Sequence, residues 1–206
     1  MLTHLINFHG TRNLLWAWTG RNIRARYQQS VLGWLWAVLQ PAMQVVIFSI
    51  VFSLIVPVDT GAIPYPIFSY VAVMSWTFLA ASLPDMTDSL IANMGLVTKI
   101  YFPREVLPVA AMLARLMDYG VATGLLVMLM VIYGTPIFVP AWLYLPFILA
   151  IQMLLILGLG LACAALNVFF RDVRSLLVLA LQLWFYASPI IYPVTMVPEW
   201  LRPYYF

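Results

Sequence analysis

The chain has 206 residues, 65% of them hydrophobic and 8% charged, with a mean hydropathy of +0.98 and a formal net charge of +3. An ordinary globular chain carries about 25% charged residues. This composition excludes a water-solvated domain and points to an all-α integral membrane protein, because a helix satisfies its own backbone hydrogen bonds in lipid. No basic patch interleaved with aromatics suggests nucleic acid. The single cysteine, Cys163, lies in an apolar run and cannot form an internal disulfide.

Residues 1–30 are mixed in character. Arg12, Arg21, Arg24 and Arg26 cluster with Trp16, Trp18 and Tyr27. Such side chains suit the headgroup layer, where one part stays wet and the rest is apolar. The segment predicts an interfacial helix on the cytoplasmic side, bent or broken near Gly20. The first twelve residues carry no apolar core of signal-peptide length, so the N-terminus is expected to stay in the mature protein. His4 and His9 have no cysteine or acid nearby and do not suit a metal.

The first span is expected over 31–56, where 26 residues pass without a charge. At roughly 1.5 Å per residue this is about 39 Å of helix, enough to cross a hydrocarbon core of about 30 Å. Pro41 should bend it. A turn-rich loop follows, then a second span over 66–83 ending at Pro84. Residues 85–104 are too polar to span. They read as a short amphipathic helix from Asp85 to about Met94, with Asp85 and Asp88 in its first turn, then a turn at Gly95 and a basic, aromatic patch through Arg104.

The third span, 106–133, carries Arg115 and Asp118, three apart and so neighbours on one face. Charges at such depth pair, and the pair reads either as a helix stabiliser or as part of a transport path. Gly120 and Gly124 give a spacing that admits close helix approach. The fourth span, 142–169, offers Gly158, Gly160, Ala162 and Ala164 as a packing face and ends at a charged loop. A fifth, 175–188, is short. Pro189, Pro193 and Pro198 then break the segment 189–206, a candidate gate or pore lining, since irregular backbone at membrane depth persists only against protein or a wet cavity.

With the N-terminus assigned to the cytoplasm, Arg12, Arg21, Arg24, Arg26, Lys99, Arg104, Arg171 and Arg174 share that side and Arg202 alone lies opposite, as the positive-inside rule expects. No phosphate-binding G-x-x-x-x-G-K-[ST] loop is present, and the only lysine, Lys99, is not in a glycine-rich loop. Transport energy is therefore expected from a partner or an ion gradient. The few intramembrane acids favour a partner, although Asp118 leaves a proton relay open.

Four stretches, RYQQSVLGWLWAVLQP (Arg26 to Pro41), KIYFPREVLP (Lys99 to Pro108), FFRDVRSLL (Phe169 to Leu177) and ASPIIYP (Ala187 to Pro193), together resemble the permease subunit of ABC-2-type polysaccharide exporters. The resemblance implies export of lipid-linked glycan such as O-antigen, teichoic acid or capsule across a bacterial cytoplasmic membrane. It implies a homodimer with two separate ATPase subunits, ATP and Mg being bound there and no cofactor here. It also implies a coupling segment against the ATPase, with Asp88, Asn93, Met94, Gly95, Leu96, Val97, Lys99, Tyr101, Phe102, Arg104 and Glu105 as candidates. A path and gate would involve Trp34, Trp36, Arg115, Asp118, Phe185, Tyr186, Ser188, Pro189, Tyr192 and Pro193. Short re-entrant gate helices would follow the fifth span. The family has a sixth span after the gate segment, whereas this sequence stops at Phe206, as a fragment or a truncation would. The alternatives are an ABC-2 exporter of drugs or lipids and an ion-driven carrier or intramembrane enzyme using Arg115 and Asp118.

Overall fold

The computed structural model describes residues 8–28, 35–52, 63–135, 142–190, 192 and 200. Every regular element among them is helical. In chain order they are α1 (Phe8–Tyr27), α2 (Leu35–Ile50), α3 (Tyr65–Ala92), the single turn α4 (Met94–Val97), α5 (Val106–Ile132), α6 (Leu145–Phe169) and α7 (Asp172–Ala187). Three of these, α3, α5 and α6, are long and apolar enough to cross a membrane. The expected gate segment lies mostly outside the described residues.

α3 is the hub. It packs against α2, α5, α6 and α7, whereas α1 lies against α5. Half of its most apolar stretch is buried, against 17% for the corresponding stretches of α5 and α6. Polar groups pin it to its neighbours at several depths. Tyr70 donates to the carbonyl of Ala122 on α5 at 2.9 Å. From α6, the Gln152 amide donates to the Ser75 carbonyl at 2.6 Å and the Asn167 amide to the Thr87 carbonyl at 3.0 Å. Hydrogen bonds of this kind join helices where apolar burial cannot distinguish a neighbour from lipid. Between those two anchors α6 presents Gly160, and a Cβ there would stand 3.2 Å from the Cβ of Met86. The missing side chain is what brings the two axes close.

Helix boundaries depart from the sequence expectation in two places. α3 does not end at Pro84 but continues to Ala92. The proline removes one N–H donor, a local loss. On either side Ser82, Leu83, Met86 and Thr87 are buried, and Asp85 and Asp88 are held by ion pairs, so packing carries the helix across. The amphipathic segment is thus the end of the second span rather than a helix of its own. α1 likewise runs unbroken through Gly20. A helical glycine costs only about 1 kcal/mol, and Arg24 Nε bonds the Gly20 carbonyl at 3.2 Å.

The turn at the far end of α5 follows its chemistry. Gly134 has φ of 63°, a left-handed conformation that suits glycine. Its N–H bonds the Val131 carbonyl, and Thr135 N–H bonds the Met130 carbonyl at 3.0 Å, the pairing that closes a helix C-terminus.

Candidate functional site

At one end of the bundle four charges from three helices meet. Arg26 closes α1, Asp85 belongs to the last turns of α3, and Arg115 and Asp118 sit in α5. Arg26 reaches Asp85 at 2.8 Å and Asp118 at 2.6 Å. Arg115 reaches Asp85 at 2.7 Å and Asp118 at 3.4 Å. Both arginines converge on the same oxygen of each carboxylate, and Tyr27 donates its hydroxyl to the other oxygen of Asp118. The quartet sums to zero charge. Its members are a sixth to a third exposed, so the attraction is screened less than at an open surface. Burial, followed by the bond to Asp118, pushes the Tyr27 hydroxyl up to about 12. Tyr27 therefore stays a neutral donor.

Arg115 and Asp118 do pair, as their spacing suggests. Their other partners, Arg26 and Asp85, lie 30 or more positions away in sequence, and no local pattern announces them. The available signal is charge arithmetic: in so apolar a chain, each charge near a span needs an opposite one.

A second set of contacts ties the same end to the elbow between α3 and α5. Arg21 stacks on Trp18, 4.4 Å from its ring centroid, and donates to the Asn93 side chain at 3.0 Å. Arg174, near the start of α7, pairs with Asp88 at 3.1 Å. Asp88 and Asn93 thus face the bundle, and a cleft of about 360 Å³ lies between α1 and the ends of α3 and α5, lined by Trp18, Asn22, Arg26, Asp85, Asp88 and Asn93 among others. The rest of the elbow points outward. Met94, Gly95, Leu96, Lys99, Tyr101, Arg104 and Glu105 are exposed, and Val97 and Phe102 are half-buried. On α1 the side facing away from the bundle carries Arg12, Trp16 and Arg24, four and eight residues apart and all exposed.

Higher in the bundle the aromatics gather between α2, α3 and α7. Phe185 stacks on Phe48 with centroids 6.4 Å apart, lies 5.6 Å from Trp76 and 5.3 Å from Tyr186. Trp184 meets Trp76 edge-on at 5.8 Å. Tyr192 donates to the Tyr186 carbonyl at 3.2 Å. Ser188 and Pro189 are half-buried where α7 ends, whereas Trp36 is exposed near the start of α2. Trp34 and Pro193 lie outside the described residues. Of the proposed path residues the structure therefore groups Phe185, Tyr186 and Tyr192, and it sets Arg115 and Asp118 apart in the charged quartet. Phe48, Trp76, Gln44 and Gln182 line or flank the same region without having been singled out by the sequence. An intramembrane glutamine is the signal that could have marked the last two.

Residues 13–206 match the model of the ABC-2 type transporter family. Over 191 residues the chain is 30% identical to an O-antigen export system permease protein of Myxococcus xanthus, covering 91% of this chain and 71% of the relative. It is 31% identical over 197 residues to a protein of the same description in Klebsiella pneumoniae, covering 93% and 74%. A polysialic acid transport protein of Escherichia coli is 24% identical over 183 residues, covering 87% and 69%. The family match takes in the quartet, the elbow and the aromatic groove together, and the chain belongs to the ABC-2 type transporters.

Proposed function

We propose that this chain is the membrane-spanning subunit of an ATP-driven exporter of lipid-linked polysaccharide. It works as a homodimer with two separate ATPase subunits, in a bacterial cytoplasmic membrane with the N-terminus in the cytosol. The relatives' descriptions as O-antigen and polysialic acid transporters favour glycan over drug or lipid cargo. ATP and Mg belong to the partner, since the one lysine of this sequence is not in a phosphate-binding loop.

The observation that carries the reading is the elbow. It presents exposed apolar and basic side chains, Met94, Leu96, Lys99, Tyr101 and Arg104, on a base fixed to the bundle by Arg21, Arg174 and the quartet. An anchored segment that exposes both apolar and basic side chains suits docking into a groove of another protein. A push on it acts along α3, whose 28 residues make a lever of about 42 Å ending beyond the aromatic groove.

Gly95 offers a clean test because a Cβ there meets nothing within 4 Å. Gly95→Trp, Lys99→Glu and Arg104→Glu should each leave the permease inserted and thermally stable. Each should lower glycan export and copurification of the ATPase by about tenfold, the loss typical of a residue that matters at an interface. Normal export from all three variants would remove the elbow as the contact.

A further inference from the structure

Of the long helices α3, α5, α6 and α7, the last is the least embedded. Among its 16 residues Leu181 alone is buried, whereas α3 buries residues along its whole length. Tyr70, Gln152 and Asn167 tie α3 to α5 and α6 by hydrogen bonds, and the quartet adds ion pairs from α1 and α5. These ties make α3, α5 and α6 one unit. Between α7 and that unit the described residues contain one ion pair, Arg174 Nε to Asp88 Oδ2 at 3.1 Å. It is far more open than the quartet: the Arg174 side chain is 63% exposed, against 23% for Arg26 and 26% for Arg115. α6 gives way to α7 at Phe170, whose backbone is extended with φ of −130° and ψ of 107°. A residue of this kind at the junction of two helices can absorb a hinge rotation. Asp88 stands five residues before Asn93, where the elbow begins, about 7.5 Å along the α3 axis.

From these features we infer that Arg174 and Asp88 form a releasable latch. It holds the elbow end of α7 on α3 in the position seen here and opens in each transport cycle as α7 swings about Phe170. Both are positioning residues and act through α7 rather than on the cargo. An ion pair this open adds little to stability, which suits a contact that is broken and remade. It can still bias a helix with two positions, because the coupling such a pair supplies shifts a population by about fivefold. Movement of the elbow reaches the latch directly, since Asp88 lies within two turns of it on the same helix. The inference rests on the ATPase-driven export reading and specifies how the elbow controls α7.

The test uses the full chain with its ATPase subunits in membrane vesicles and reads glycan exported per ATP hydrolysed. Arg174→Gln should lower that ratio about fivefold, with ATP turnover and copurification of the ATPase at the wild-type level. Arg174→Asp should lower it further. Arg174→Lys should keep most of it, because a single contact does not require a guanidinium fork. Exchanging the charges, Asp88→Arg with Arg174→Asp, should recover most of what Arg174→Asp loses. In a Cys163→Ala background, a short reducible cross-linker joining Asp88→Cys to Arg174→Cys should stop export, and reductant should restore it. A wild-type ratio in Arg174→Gln, an equal loss in Arg174→Lys, no recovery on charge exchange, or export continuing through the cross-link would each overturn the inference. Loss of ATPase copurification in Arg174→Gln would overturn it as well, by placing Arg174 in the partner contact. Export by the wild type in the same assay tests the glycan reading on its own, so these outcomes strike the latch and leave that reading standing.

Discussion

At the scale of single residues, the quartet is held by neutrality as much as by any one bond. Removing one arginine leaves a net negative cluster that is only partly solvated. Arg26→Ala should lower thermal stability in detergent by about 1–3 kcal/mol, less than for a fully buried pair because these side chains keep some solvent. Adding Asp118→Asn restores a zero sum and should recover part of the loss, a coupling that a double-mutant cycle measures directly. Arg26→Lys should rescue poorly, because one ammonium cannot span two carboxylates as a guanidinium fork does. Tyr27 gives the cluster a pH signature. Its hydroxyl is raised from 10.0 to about 12 by burial and by Asp118. Its contribution is therefore complete below pH 10 and is lost as pH rises through the folded value, because the unfolded chain releases that proton first. Unfolding followed from pH 9 to 12 should show a steeper loss for the wild type than for Tyr27→Phe. Arg115 and Asp118 were visible as a pair from their spacing alone. Arg26 and Asp85 were not, since pairing between distant segments is a product of packing and leaves no periodic trace.

For the helices, local propensity decided less than neighbours did. Pro84 and Gly20 are reasonable break points in isolated sequence, yet both lie inside continuous helices because buried side chains and ion pairs hold the flanking turns. The turn after α5 has a local cause: Tyr-Gly-Thr-Pro follows the last apolar residues, and Gly134 takes the left-handed conformation that such a turn uses. The small-residue face of α6 was legible, although which glycine matters was not. Gly160 abuts Met86, whereas a Cβ on Gly158 would meet nothing within 4 Å. Gly160→Ala should therefore force α6 and α3 apart at some point of their contact and cost about 1–3 kcal/mol, the usual range for overpacking. Gly158→Ala should be neutral or stabilise by up to about 1 kcal/mol through helix propensity. Equal melting temperatures for the two variants would contradict the close approach seen at Met86.

For the whole molecule, hydropathy marked where apolar segments run but not which of them forms the centre. α3 holds that place because it alone combines a buried apolar stretch with polar anchors to α5 and α6. It also joins the elbow to the groove, so the export reading depends on its two ends standing on opposite sides of the bilayer. α5 imposes the same requirement independently. Its 27 residues extend about 40 Å, from the elbow at one end to the turn before α6 at the other. Tyr101 and Leu143 are both highly exposed and mark those two ends. In a Cys163→Ala background, Tyr101→Cys should react with an impermeant maleimide in inverted vesicles and not in intact spheroplasts, and Leu143→Cys should show the reverse. The positive side chains around the elbow, Lys99 and Arg104, give the sign of this expectation, because basic loops stay cytosolic. Labelling of both positions from one side would mean that α5 does not span. Labelling of Tyr101→Cys from outside would place the elbow beyond reach of a cytosolic ATPase, and α3 would then have no motor to transmit.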